Sequence, residues 1–259
     1  ISGGTYYVDD LQVSDEIKKK IPANVNLIYW DYYSTDQQHY ENQIRSHRAI
    51  KENIWFAGGL WMWSGFAPHN SYAITATTAA LAACRKHGVQ DVFLTMWGDD
   101  GAECSKFAML PSLYFAAEAA RGNKDMQSIK DGFRGMFGMD FDTYMLLDLP
   151  GTPNESSTWC PNADKYMLYN DCLAGVMDTT VRADAAPGFA ACAEKLAAVG
   201  KTSEYGYLFE TMQKLCELLA VKADIGKRTR SAYQQKDMAA IRALIDEYSR
   251  LTELTDAFY

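Results

Sequence analysis

The 259-residue sequence has no apolar stretch approaching the ~20 residues that span a bilayer, which excludes a helical membrane segment. Its N-terminus has neither an initiator methionine nor a basic-then-apolar signal, and a cytoplasmic location is expected. There is no C-x-x-C pair and no zinc-like spacing: the six cysteines (Cys84, Cys104, Cys160, Cys172, Cys192, Cys216) lie far apart, three of them in helical runs. They read as reduced thiols acting as small hydrophobes, so no disulfide framework is expected. Glycine-rich phosphate loops of the G-x-G-x-x-G or G-x-x-x-x-G-K-[ST] type are missing, which disfavours nucleotide ligands and implies no cofactor. Positive charge is scarce and scattered. With 33 acidic against 25 basic residues the formal charge is -8, and short runs such as Lys18-Lys19-Lys20 are solvated faces, so nucleic acid is not an expected partner.

The 48% hydrophobic content suffices for a real core, and its distribution predicts alternating elements. A charged amphipathic run from Asp9 to Ile21 predicts a helix that Pro22 and Asn24 stop. Val25 to Trp30 predicts a strand, Asp36 to Glu52 an exposed helix, and Asn53 to Gly59 a second strand. Ser71 can cap a helix from Tyr72 to Lys86 that Gly88 ends; Asp91 to Trp97 is a third strand, and a helix follows over about 105–120. Such repeated βα units with short apolar strands specify a parallel sheet. Beyond Ala120 strand signals vanish. Short helices are expected at Phe133–Phe137 and Phe141–Leu149, a Pro-, Ser- and Asn-rich loop at Pro150–Asp164, and three helices from Pro187 to Tyr259.

The three strand ends carry the chemistry. They read Tyr29-Trp30-Asp31-Tyr32-Tyr33, Gly59-Leu60-Trp61-Met62-Trp63-Ser64-Gly65-Phe66, and Trp97-Gly98-Asp99-Asp100-Gly101-Ala102-Glu103, and they hold four of the six tryptophans. Core packing could account for any one of these indoles. Four beside Asp31 and Asp99 fit a sugar subsite, because a pyranose stacks its C–H face on indole and gives its hydroxyls to carboxylates. A metal held by Asp31, Asp99, Asp100, Glu103 and His69 is the weaker reading, since scattered loop carboxylates are usually solvated or capping, and no metal site is expected. Asp31 and Asp99 as a paired-carboxylate hydrolase is another alternative.

These three segments, with Ala57-Gly58-Gly59-Leu60-Trp61-Met62-Trp63-Ser64-Gly65-Phe66-Ala67-Pro68 read as one block, resemble glycoside hydrolase family 20, especially a bacterial branch of exo-β-N-acetylhexosaminidases. The resemblance covers roughly residues 1–120 and, more loosely, Lys165 to Asp171. It implies the fold class α/β: a partial (β/α)8 TIM barrel, its last three βα units in residues 1–122, followed by a C-terminal α-helical domain over 123–259. It also implies hydrolysis of terminal β-linked GlcNAc or GalNAc by substrate-assisted catalysis, an exception to paired enzyme carboxylates. The acetamido oxygen of the substrate attacks the anomeric carbon while a Glu, preceded by an orienting Asp, protonates the leaving oxygen. The family's Asp-Glu pair ends its fourth strand, and this chain would begin after the fifth, so the pair and a first-strand Arg are expected to be absent and the chain alone inactive. By the same resemblance Trp97 walls the acetamido pocket or stacks on the ring, and Asp99, often Glu in the family, binds the hydroxyl at C4, with that at C6 left open. Tyr32 is the expected catalytic tyrosine holding the acetamido oxygen, with Tyr33 the alternative, and Trp30, Asp31, Trp61 and Trp63 complete the substrate-binding set. Strand alternation pairs Trp30 with Tyr32 and Asp31 with Tyr33 and leaves open which pair faces the ligand. Expected partners are N-acetylhexosamine-containing glycans and an N-terminal half-barrel, with self-association into a homo-oligomer left open. A carbohydrate-binding or structural module without catalysis is the competing reading.

Overall fold

The computed structural model describes residues 13–151, 163–200 and 203–259. Among them are ten α-helices and one three-stranded parallel sheet. Contacts divide the chain into two compact units. The first contains the residues up to Trp61, Asn70–Trp97 and Ser112–Ile129, and the second Met62–His69, Gly98–Pro111 and Lys130–Tyr259.

Helix α1 (Asp15–Lys20) starts where the Ser14 hydroxyl accepts from the Ile17 N–H; its expected beginning at Asp9 lies outside the described residues. Strand β1 (Leu27–Trp30) leads to α2 (Gln37–Arg48), whose N-cap Asp36 accepts from the Gln38 N–H. Then come β2 (Ile54–Gly59), α3 (Asn70–Lys86) and β3 (Val92–Thr95). Gly88 takes a φ of 65° after α3, the left-handed turn that glycine adopts without strain. The sheet order is β1-β2-β3, with Tyr29 beside Phe56 and Phe56 beside Val92.

Alternation gives the sheet two different faces. Leu27, Tyr29, Ile54, Phe56 and Val92 pack against Tyr40 and Ile44 of α2 and Ala79, Ala80, Ala83 and Cys84 of α3. A full burial of each large side chain contributes about 1.5–3 kcal/mol. Ile28, Trp30, Trp55 and Phe93 stand on the opposite face and are exposed.

The sheet is therefore parallel as expected, but the fold class is not. The chain is mostly helical and is not a partial (β/α)8 barrel. Among the described residues β1 and β3 each pair with β2 alone, and the chain continues as helices after β3. A βα repeat fixes the direction of neighbouring strands but not the architecture they belong to, and here the three strands are a small part of a mostly helical chain.

Helices α4 (Leu110–Ala120), α5 (Met126–Phe137) and α6 (Phe141–Tyr144) follow, then a 3-10 turn at Met145–Gly151. Most of the expected 150–164 loop lies outside the described residues; α7 spans Ala163–Tyr169. The three terminal helices stand where the amphipathic spacing predicts them: α8 (Ala185–Ala197), α9 (Gly206–Gln235) and α10 (Met238–Phe258). Helix α9, about 45 Å long at 1.5 Å per residue, is the axis on which α8 and α10 pack. Asp237 caps α10 by accepting from the Ala239 and Ala240 N–H groups. Phe133, Phe141, Tyr144 and Phe209 form an edge-to-face aromatic core in this second unit. Among the described residues, Cys84, Cys104, Cys172, Cys192 and Cys216 are free thiols, and no helix is long and apolar enough to cross a membrane.

Candidate functional site

The site begins where β1 ends. Inward-facing Tyr29 and outward-facing Trp30 are followed by Asp31, which is 1% exposed. Its N–H still donates to the Ala57 carbonyl, extending the ladder by one residue. Its carboxylate then turns the chain: Oδ1 accepts from the Tyr33 N–H at 2.9 Å, and Oδ2 accepts from the Tyr29 hydroxyl at 2.7 Å. The same Oδ2 lies 2.7 Å from Nε2 of His39, in the first turn of α2. Asp31 thus faces the α2 side, engaged three times, rather than the open sheet face. That arrangement leaves it poorly placed for the paired-carboxylate alternative, which needs a carboxylate in reach of water and substrate.

Beyond this anchor the aromatic side chains gather. Trp61 donates Nε1–H to the Tyr32 carbonyl at 3.0 Å and sits nearly buried. Its ring meets Tyr33 edge-on at 5.5 Å, Tyr32 at 6.3 Å and Tyr72 of α3 at 4.6 Å between centroids. Burial, then the charges of Asp31 and Tyr33, push the Tyr72 hydroxyl up to about 12, so it stays a neutral donor. Tyr32 is half-buried and Tyr33 exposed, with rings 4.7 Å apart.

Trp30 and Trp97 form a second group. Their rings stack at 5.4 Å and 20°, although Trp30 ends β1 and Trp97 lies two residues past β3, at opposite edges of the sheet. On that face β2 offers Ala57 beside Trp30 and Gly59 beside Thr95, so no large side chain separates the indoles at that level. The pair remains 44% and 37% exposed, a flat apolar platform at the carboxyl end of the sheet.

The remaining expected residues belong to the second unit. Trp63 is half-buried within the 62–69 loop, and Asp99 is exposed where a 3-10 turn begins (Asp99–Gly101). Glu103 is ion-paired with Lys165 at 2.8 Å, and burial pushes half-buried His69 below its ordinary value. Among the described residues no three His, Cys, Asp or Glu side chains are grouped as a metal site requires. The structure thus joins Asp31, Tyr32 and Trp61 in one group and Trp30 and Trp97 in another. Sequence reasoning missed Tyr29, His39 and Tyr72. His39 reads as one polar residue of an exposed helix, and only its position in the first turn after β1 hints that it returns toward the strand end.

Residues 142–259 match the family model described as Glycoside Hydrolase 20C C-terminal domain. No curated protein matches the chain. The matched stretch begins in α6 and runs through α7 to α10, the helices packed around α9. From Asp142 to Tyr259 the chain is therefore similar to the C-terminal domain of that glycoside hydrolase family.

Proposed function

We infer that the chain belongs to an exo-β-N-acetylhexosaminidase and contributes recognition of a terminal β-linked N-acetylhexosamine. The observation that carries this reading is the exposed, stacked Trp30–Trp97 pair in a chain whose residues 142–259 match a C-terminal domain of a glycoside hydrolase family. An indole platform offers the apolar face of a pyranose a partner at little conformational cost. Asp99, exposed and acidic, would accept hydroxyl donors, and Tyr32, next to the Trp61 cluster, would hold the acetamido oxygen, with Trp61 and Trp63 as walls.

The substrate would supply its own nucleophile, so the chain needs positioning groups more than a second carboxylate. None of the three strand ends carries an Asp-Glu pair; Asp15-Glu16 and Asp246-Glu247 both sit on helices. The 259-residue chain alone is therefore expected to bind the sugar and not to hydrolyse an aryl N-acetyl-β-glucosaminide, since loss of general-acid help costs ~10²–10⁴-fold. The missing pair equally supports the second reading, a binding module without chemistry.

Titrating the chain with N-acetylglucosamine and following tryptophan fluorescence tests the proposal. Binding should appear, Trp97→Phe should weaken it by roughly 2–10-fold, and Asp99→Asn by roughly 10–100-fold, with melting temperatures hardly changed. No response to N-acetylglucosamine or N-acetylgalactosamine would refute sugar recognition. Robust turnover by the pure chain would refute the assigned lack of an acid.

A further inference from the structure

The 62–69 loop follows the second strand end, and its Gly65, Phe66 and Ala67 meet the C-terminal domain. Asp164, in the first turn of α7, is 1% exposed, and its Oδ2 accepts the N–H groups of Phe66 at 2.9 Å and Ala67 at 3.0 Å. Oδ1 accepts from the Lys165 N–H at 2.8 Å. Gly65 is needed for this approach, since a Cβ there would stand 2.4 Å from Asp164 Oδ1. The Phe66 ring packs against Tyr169 of α7 and Phe258 of α10, at 6.2 and 5.5 Å between centroids. Asp164, Tyr169 and Phe258 all fall within the stretch that matches the family model.

We propose that Asp164 is a positioning residue through which the C-terminal domain holds the 62–69 loop and so sets Trp63 for the ligand. This rests on the reading of Trp63 as a wall of the sugar site. Packing alone is a poor reason for the arrangement, because a buried carboxylate is costly and a well-packed apolar replacement is often neutral or better. The adjacent ammonium is engaged by another carboxylate: Lys165 gives its Nζ to Glu103. Cys104 and Cys216 feel the Asp164 charge, and burial holds both thiols protonated, well above their ordinary value; Asp148 acts on Cys104 as well. Burial raises Asp164 itself to about 6, against the N–H bonds of Ala67, Lys165 and Phe66 that lower it. The held state therefore binds a proton more tightly than a released, hydrated Asp164, and raising the pH through about 6 weakens the hold.

The test uses the full chain with Asp164→Ala and the near-isosteric Asp164→Asn. Hydrogen exchange at the Phe66 and Ala67 amides reads the loop, and N-acetylglucosamine affinity between pH 5 and 7.5 reads the site. Expected results are ~10–100-fold faster exchange at those two amides in either variant that folds. Wild-type affinity should fall as pH rises through about 6, and Asp164→Asn should abolish that inflection. Unchanged exchange in a folded variant overturns the proposal, as does faster exchange with wild-type affinity and pH profile. If the wild type binds no sugar, the reading of Trp63 falls, and the exchange result alone decides whether Asp164 holds the loop.

Discussion

At the scale of single residues, the organising group is Asp31, and its importance comes from its neighbours. A carboxylate buried with a tyrosine hydroxyl, a histidine ring and a backbone N–H is stable because each bond is charge-assisted in a region that excludes water. Replacing it by asparagine keeps the shape but turns one oxygen into a donor that confronts other donors. Asp31→Asn should lower unfolding free energy by ~1.5–3 kcal/mol in urea titrations. Tyr29→Phe, which removes one of the three donors, should cost about 1 kcal/mol. If Asp31 acts through the turn it stabilises, N-acetylglucosamine affinity will drop in parallel with the order of the Tyr32-Tyr33 turn, readable from the fluorescence of the adjacent Trp61.

At the scale of elements, glycines that the sequence shows alike play opposite parts. Gly65 lies against a buried carboxylate, whereas nothing stands within 4 Å of the Cβ position of Gly135, which is exposed on α5. Gly65→Ala must displace Asp164 from the N–H groups it accepts and should destabilise by ~1–3 kcal/mol. Gly135→Ala fills empty space in a helix interior and should stabilise by ~0.5–1 kcal/mol. Thermal melts of the two variants, shifted in opposite directions, check both. Within the sheet, Ala57 and Gly59 have a related role: their small size leaves room for the indoles of Trp30, at the end of β1, and Trp97, just past β3, to stack.

At the scale of the whole molecule, stability should depend on pH through groups shifted in opposite directions. Hydrogen bonds from Lys86, then Gln37, with the His87 ring 3.5 Å away, hold Glu41 at about 2, below its ordinary 4.5. Its contribution is complete above pH 4.5 and is lost as pH falls toward 2. Asp164 behaves inversely: raised from 3.8 to about 6 by burial, it adds stability that is full below 3.8 and is lost as pH rises through 6. Melting temperature should therefore gain from Asp164 between about pH 6 and 4 and decline more steeply below. Asp164→Asn should remove the gain, and Lys86→Met should move the acid decline to higher pH; a set of melts from pH 2 to 8 reads both.

Much of this architecture follows from the sequence alone. Period-two and 3.6-residue patterns fix local structure because burial of one face drives it, so the three strands, their parallel direction and the helices α8 to α10 could be read directly. The tryptophans at the strand ends were legible as well, and a resemblance of motifs, not periodicity, pointed to the glycoside hydrolase family whose C-terminal domain residues 142–259 match. The balance of helix over sheet was not legible, since local patterns show each element but not the architecture that distant elements assemble into, and there the partial-barrel expectation failed. Nor could alternation alone decide that Trp30 faces outward and Asp31 toward α2; that depended on which face α2 and α3 cover. Tertiary structure alone brought His39 to Asp31 across eight residues, Tyr72 to Trp61, and Asp164 to Phe66 across 98. Such contacts are set by packing of distant elements, where a polar group buried by the fold must find whatever donor the fold places beside it.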